Sequence, residues 1–266
     1  MHKNFAPKEE KSQFISSAYL ALIRNFLRYG WLNTYLFGAS PVLDKSYLNK
    51  KHPSLKKCDW RSYYGNYATS FRMSELGYYS KIQKQLAISF NNLDEYIADL
   101  KHAISTPDPA YKGLPGFNEN ILQIENEHYS RIRPKQILKA GETPTTALSA
   151  RGIKYVEVRA VDINPFSPTG LSIDQLHFLH IFAVYCLFKP SPNLNLNEQR
   201  SLTENQNKVA FFGRDPALPF KNDARKLLLE MSAVANLMDK NFSAKRYGNS
   251  LAMQINKLTD SALTPS

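Results

Sequence analysis

Between Ile153 and Pro168 the chain reads IKYVEVRAVDINPFSP. β-Branched residues crowd Ile153 to Asp162, and Asn164-Pro165 and Ser167-Pro168 close the segment, which predicts a β-strand of ten residues. Side chains alternate between the faces of a strand. Tyr155, Glu157, Arg159 and Val161 therefore share one face, and Val156, Val158 and Ala160 share the other. The second face is small and apolar, as a core requires. The first holds a carboxylate and a guanidinium whose Cα atoms lie about 6.6 Å apart. A carboxylate can hold Mg²⁺ and a planar guanidinium can hold phosphoryl oxygens bidentately, so the pair suits a metal–phosphate site. The same spacing also suits a weak ion pair on a half-exposed sheet.

Downstream, Ser172 and Gln175 form a capping box that opens a helix to about Phe188. Leu176, Leu179, Phe182, Ala183, Tyr185, Cys186 and Leu187 make this helix apolar nearly all round, so burial is expected. His177 and His180 on it admit either metal ligation or ordinary helix packing, and packing is the expectation. Residues 190–200 read as a loop, and helical patterns follow at 202–212, 221–240 and 243–259.

Upstream, residues 1–11 are polar and expected to fray. Apolar residues at helical spacing run from Ser12 to Tyr29, where Gly30 can close the helix. Trp31–Phe37 is a second apolar stretch, stopped by Gly38 and Pro41. Residues 44–66 read as a loop, and Tyr67–Tyr79 as mixed extended and turn structure. Asn92 and Glu95 predict a capped helix start, with Leu93, Tyr96, Ile97, Leu100 and Ile104 on its apolar face. Residues 105–120 read as a loop. Ile121–Ile132 alternates as a strand, with Gln123, Glu125, Glu127 and Tyr129 on one polar face. A short helix is expected near Thr145–Ala150.

A hydrophobic content of 43% supports a packed core over disorder. The net charge of +11 suits an anionic ligand, but no nucleic-acid-binding motif accompanies it, so no nucleic-acid partner is expected. Two cysteines, Cys58 and Cys186, without metal-ligand spacing fit a reduced, cytoplasmic setting. No apolar run reaches the length of a membrane span, and no signal peptide is evident.

Three blocks in order and in register carry a resemblance. They are ATSFRMSELGYYSK from Ala68, LQIENEHYSRIRPK from Leu122 and GIKYVEVRAVDINPFSPTG from Gly152. Together they resemble bacterial glutamate–cysteine ligase (γ-glutamylcysteine synthetase), from about Phe14 to about Lys189. The resemblance implies an α+β fold, a mainly antiparallel sheet with packed helices, part of a glutamine-synthetase-like architecture. It implies ATP-dependent joining of the γ-carboxylate of glutamate to cysteine through γ-glutamyl phosphate, with Mg²⁺, or Mn²⁺ in its place. By the same resemblance Glu157 is a Mg²⁺ ligand and Arg159 the phosphoryl-side arginine. Arg72 matches the arginine that holds substrate carboxylate, and Tyr78 and Tyr129 match the cysteine pocket. Arg133 and Lys135 are candidates for phosphate or loop contacts.

In the family a segment with further metal-binding carboxylates, a ligand histidine and the first strands of the sheet precedes these blocks, and it has no counterpart here. The expectation is one partial domain over residues 1–266, with a core region at 12–189 and a helical tail at 190–266. Activity would then require a separate chain carrying the missing segment, and the alternative is a non-catalytic, anion-binding remnant.

Overall fold

The computed structural model describes residues 8–48, 50–77, 86–243 and 245–266. Among the described residues helices dominate, with two small antiparallel sheets, so the fold is α+β as expected. The chain gathers into two compact units: residues 1–27, 79–159 and 190–199 form one, and residues 28–78, 160–189 and 200–266 the other.

In the first unit, α1 (Lys8–Tyr29) contributes its first five turns, with Leu20, Ile23 and Phe26 buried. Helix α3 (Leu93–Ser105) starts where its cap predicts: Asn92 Oδ1 accepts the Glu95 N–H at 2.8 Å. Its buried stripe of Tyr96, Ile97, Leu100 and Ala103 follows helical spacing. Helix α4 (Pro144–Arg151) packs beside it and is capped by Thr143. Strands β4 (Ile132–Lys135) and β5 (Tyr155–Val158) pair antiparallel.

Two expectations fail in this unit. Ile121–Ile132 is not a strand. Its middle is a 3-10 turn, Glu125–Glu127, and only Ile132 joins β4. The acidic side chains are taken up by hydrogen bonds, one of them across 20 residues, instead of facing outward from a ladder. Glu125 accepts the Thr145 N–H and hydroxyl, both at 2.6 Å, and Glu127 accepts the Gln123 N–H at 2.5 Å. Strand β5 is also four residues long rather than ten, because its partner β4 is four residues long. Val158, expected in the core, is 43% exposed.

The turn from α4 into β5 explains where β5 begins. Gly152 has φ +70°, and a Cβ there would meet Ser12 Oγ at 2.5 Å and Ser16 Oγ at 2.6 Å. These serines bond the chain on either side: Ser12 Oγ donates to Arg151 O at 3.1 Å, and Ile153 N–H donates to Ser16 Oγ at 3.0 Å. Only glycine allows both the left-handed backbone and the close approach of α1.

The second unit holds α2 (Trp31–Phe37), strands β1 (Val42–Asp44), β2 (Lys56–Lys57) and β3 (Ser62–Tyr64), α5 (Ile173–Phe188), most of α6 (Leu196–Phe212), α7 (Phe220–Phe242) and α8 (Arg246–Thr259). The segment expected to be a loop at 44–66 builds a three-stranded antiparallel sheet in the order β1-β3-β2. Strands of two or three residues leave no readable alternation. What holds them is packing of Leu43, Leu48 and Tyr63 on the cluster Leu55, Ala68, Phe71 and Phe211. Helix α5 is capped by Ser172, which accepts the Gln175 N–H at 3.1 Å. It packs on α7 and α8 through Phe178, Ile181, Phe182, Tyr185 and Cys186. Contrary to expectation it is not buried all round, since Ile173, Leu176, Leu187 and Phe188 are exposed. Helix α6 starts inside the expected loop at 190–200, because Asn195 Oδ1 accepts the Glu198 N–H at 2.9 Å and caps it. No described helix is long and apolar enough to cross a membrane.

Candidate active site

The β4–β5 ribbon pairs Arg133 with Glu157 and Lys135 with Tyr155, and the Arg159 N–H donates to Arg131 O at 2.8 Å one step beyond. Directly opposed residues share a face. Arg131, Arg133, Lys135 and Arg159 thus fall on the same face as Glu157. Opposite on the ribbon are Ile132, Pro134, Val156 and Val158. Glu157 lies 3.6 Å from Lys135 Nζ, a partly exposed contact worth little by itself. Four cations and one carboxylate on one face suit an anionic ligand, because like charges across a ladder repel.

The 3-10 turn at Glu125–Glu127 braces this face. Arg133 is buried, and its Nη1 donates to Asn126 O at 2.9 Å, while its Nε has no hydrogen-bond partner. Lys135 Nζ donates to Asn126 Oδ1 at 3.1 Å. Both residues therefore contact the turn at Asn126. Two residues further, Tyr129 meets Arg159: the guanidinium carbon stands 5.2 Å from the ring centroid, a cation–π contact. The structure thus unites two residues that the sequence singled out in separate blocks. Just before Tyr129 in sequence, His128 is buried with an unpartnered Nδ1, and desolvation pulls its pKa down to about 4. It is a neutral imidazole at neutral pH.

In the second unit, Arg72 sits on the 3-10 turn Phe71–Met73, capped by Ser70. Its Nε donates to Asp162 Oδ1 at 2.6 Å and its Nη2 to Val161 O at 2.7 Å. Asp162 is buried, and its Oδ2 accepts the Ala39 N–H at 2.8 Å and the Ser40 hydroxyl at 3.0 Å. Ser40 in turn meets the Ser70 hydroxyl at 2.9 Å. Asp162 is the residue that sequence reasoning missed here. Its signal was a lone acid at the end of an apolar run, which reads equally as a strand terminator.

Tyr78 lies outside the described residues. His177 and His180 pack on Tyr247, His180 Nδ1 at 3.1 Å from its hydroxyl and His177 edge-on at 5.2 Å between centroids, so they serve helix packing. Cys186 is buried, and desolvation pushes its thiol pKa up. For Mg²⁺ the ribbon face offers one carboxylate, Glu157. Among the described residues no three His, Cys, Asp or Glu side chains come together as a ligand set. Mg²⁺ prefers octahedral oxygen coordination, so these residues do not by themselves fit a magnesium centre.

The fold of this chain has solved counterparts. Over 95% of its length it matches 53% of the glutamate–cysteine ligase from Francisella tularensis, a structure in complex with AMP, with a TM-score of 0.88 and 38% identity. A bifunctional glutathione synthetase from Pasteurella multocida shares the fold, with a TM-score of 0.69 at 21% identity over 99% of this chain and 29% of that one. The family model for glutamate–cysteine ligase matches residues 1–209. Glutamate–cysteine ligase from Alcanivorax borkumensis is 44% identical over 276 residues, 95% of this chain and 52% of that protein. The enzyme from Pseudomonas paraeruginosa is 44% identical over 268 residues, 94% of this chain and 51% of that protein. The chain belongs to the glutamate–cysteine ligase family, and it spans about half the length of the curated relatives it matches.

Proposed function

We propose that the chain takes part in the ATP-dependent ligation of L-glutamate, through its γ-carboxylate, to L-cysteine. The products are γ-glutamylcysteine, ADP and phosphate, in the first step of glutathione biosynthesis, and the setting is cytoplasmic. The observation that carries this reading is the β4–β5 ribbon of a family member: four cations and one carboxylate on one face, with Arg133 buried and its Nε unpartnered. A transferring phosphoryl group spreads negative charge over its oxygens, and catalysis of that step is mostly positioning and charge stabilisation. Arg159, held against Tyr129, is the phosphoryl-side cation, and Arg133 and Lys135 contact the nucleotide phosphates. Tyr129 and Tyr78 contribute to the cysteine pocket. Arg72 holds substrate carboxylate, its guanidinium oriented through Nε by Asp162. The subsequent attack of the cysteine amine is a matter of orientation.

Glu157 is the metal-facing carboxylate in this reading, and a bound Mg²⁺ would need more oxygen ligands than the described residues offer. That observation favours a second reading: the chain binds anions on this face and requires a separate chain for turnover.

The test is cysteine-dependent ADP release by the purified chain, alone and mixed with a separately expressed N-terminal half of a relative. Glu157→Gln keeps shape and removes charge, and Arg159→Lys keeps charge and removes the planar fork. Each should lower kcat/KM by about 100-fold or more, as removal of a single charge-stabilising group does. Melting temperatures should change little, since the Glu157 contact with Lys135 is partly exposed and contributes about 0–1 kcal/mol, and Arg159→Lys keeps a cation beside Tyr129. Near-normal rates in both variants would remove the ribbon from the chemistry. Nucleotide binding without ligation in every mixture would favour the second reading.

A further inference from the structure

A cleft of about 410 Å³ opens in the first unit, between α1 and the segment that leads into β5. Lys11, Ile15 and Tyr19 line one wall. They follow one another at four-residue steps, so they form a single ridge of α1. Ile153 and Lys154 line the other wall. Gln136, at the foot of the cleft, and Lys154 come one step beyond the Lys135–Tyr155 pair, so their parity is opposite to that of Glu157. The cleft therefore lies off the ribbon face assigned to ligation.

The walls are tied to each other. Gln136 Nε2 donates to Gly152 O at 2.8 Å, Ser12 Oγ donates to Arg151 O at 3.1 Å, and the Ile153 N–H donates to Ser16 Oγ at 3.0 Å. Such bracing sets the shape of the cleft before anything enters it. Arg151 also borders the cleft, but its charge is already neutralised: Nη1 and Nη2 donate to the two oxygens of Glu142 at 2.7 and 2.6 Å. Lys11 and Lys154 differ. Both are exposed, and among the described residues neither side chain makes a hydrogen bond or an ion pair.

We propose that this cleft binds a small organic anion, with a carboxylate or phosphate head between Lys11 and Lys154 and an aliphatic or aromatic body on Ile15, Tyr19 and Ile153. The volume falls in the range of small-molecule pockets, about 300–1,000 Å³. A hydrocarbon body laid on the three apolar side chains leaves water. The long, flexible stems of the two lysines let their ammonium groups turn from opposite walls to one acid head. An inorganic ion would meet the same cations and leave the apolar lining wet, so it should bind more weakly.

Isothermal titration calorimetry of the chain with octanoate, phenyl phosphate and inorganic phosphate tests the proposal. The comparison is with the double variant Lys11→Met and Lys154→Met, whose exposed side chains carry no part of the packing. The ribbon can also take up anions, and that binding survives in the double variant, so only the variant-sensitive binding reports the cleft. The better organic anion should bind about 10-fold or more tightly than inorganic phosphate, which burial of two methylenes already supplies. Loss of both lysines should weaken it by about 10-fold, since each partly exposed cation contributes modestly. Tighter binding of octanoate identifies a carboxylate site, and tighter binding of phenyl phosphate a phosphate site. Equal affinities in parent and double variant would overturn the proposal. So would inorganic phosphate binding as tightly as both organic anions, or no organic anion binding below about 1 mM.

Discussion

Removing the Asp162 carboxylate should cost more than any other single change in the second unit outside its apolar core. Its two oxygens accept from Arg72 Nε at 2.6 Å, Ala39 N–H at 2.8 Å and Ser40 Oγ at 3.0 Å, and its side chain is 4% exposed. A hydrogen bond to a charged group contributes about 1.5–3 kcal/mol, and each buried donor left without a partner adds about 1 kcal/mol or more. Breaking a buried pair by deleting one partner costs about 3–5 kcal/mol. Arg72 keeps 28% of its side-chain surface in water, which lowers its share. Asp162→Ala should therefore destabilise the protein by about 3–4 kcal/mol, and Asp162→Asn by about 2 kcal/mol, since an amide offers one acceptor oxygen. Urea unfolding followed by tryptophan fluorescence measures this. The double variant with Arg72→Met should lose less than the sum of the singles, because the pair's coupling disappears in either one. An Asp162→Ala loss under 1 kcal/mol, or strict additivity with Arg72→Met, would refute the reasoning.

Acid should act through His128. Its folded pKa is about 4 against an ordinary value of 6.5, so the unfolded chain takes up a proton that the folded chain refuses. Its contribution is fully present above pH 6.5 and is lost as pH falls towards 4, by about 3 kcal/mol in all. Urea midpoints at pH 7.5 and 4.5 should show this, and His128→Gln should flatten the slope. Gly152→Ala should cost about 2–3 kcal/mol, from a left-handed backbone plus the collision with Ser12 and Ser16. Thermal unfolding measures it, and a loss below 0.5 kcal/mol would mean that α1 yields easily there.

What the sequence made legible was local. Asn92 and Ser172 cap helices because a side chain three residues from its partner amide needs nothing from the rest of the fold. The strand read into Ile121–Ile132 failed for the converse reason. Alternation described its residues well, but Glu125 bonds Thr145, 20 residues away, and that contact has no periodic trace. The sheet at 42–64 was invisible because its strands are too short to carry a pattern. Of the candidate site, the parity of Glu157 and Arg159 was readable, and the same parity held Arg131, which went unremarked. The contact of Arg159 with Tyr129 and the bond from Arg72 to Asp162 joined blocks 30 and 90 residues apart. Only the family resemblance hinted that such blocks act together.

The charge imbalance of the ribbon also bears on how quickly a ligand arrives. A patch of four cations and one carboxylate, in a protein of net charge +11, projects a positive potential beyond contact distance. A polyphosphate diffusing nearby is drawn in before any hydrogen bond forms, so capture rather than residence should carry much of the salt dependence. At low ionic strength the field reaches roughly 30 Å, and at physiological salt about 8 Å. The encounter rate is thereby tied to the ionic composition around the protein as well as to the shape of the site.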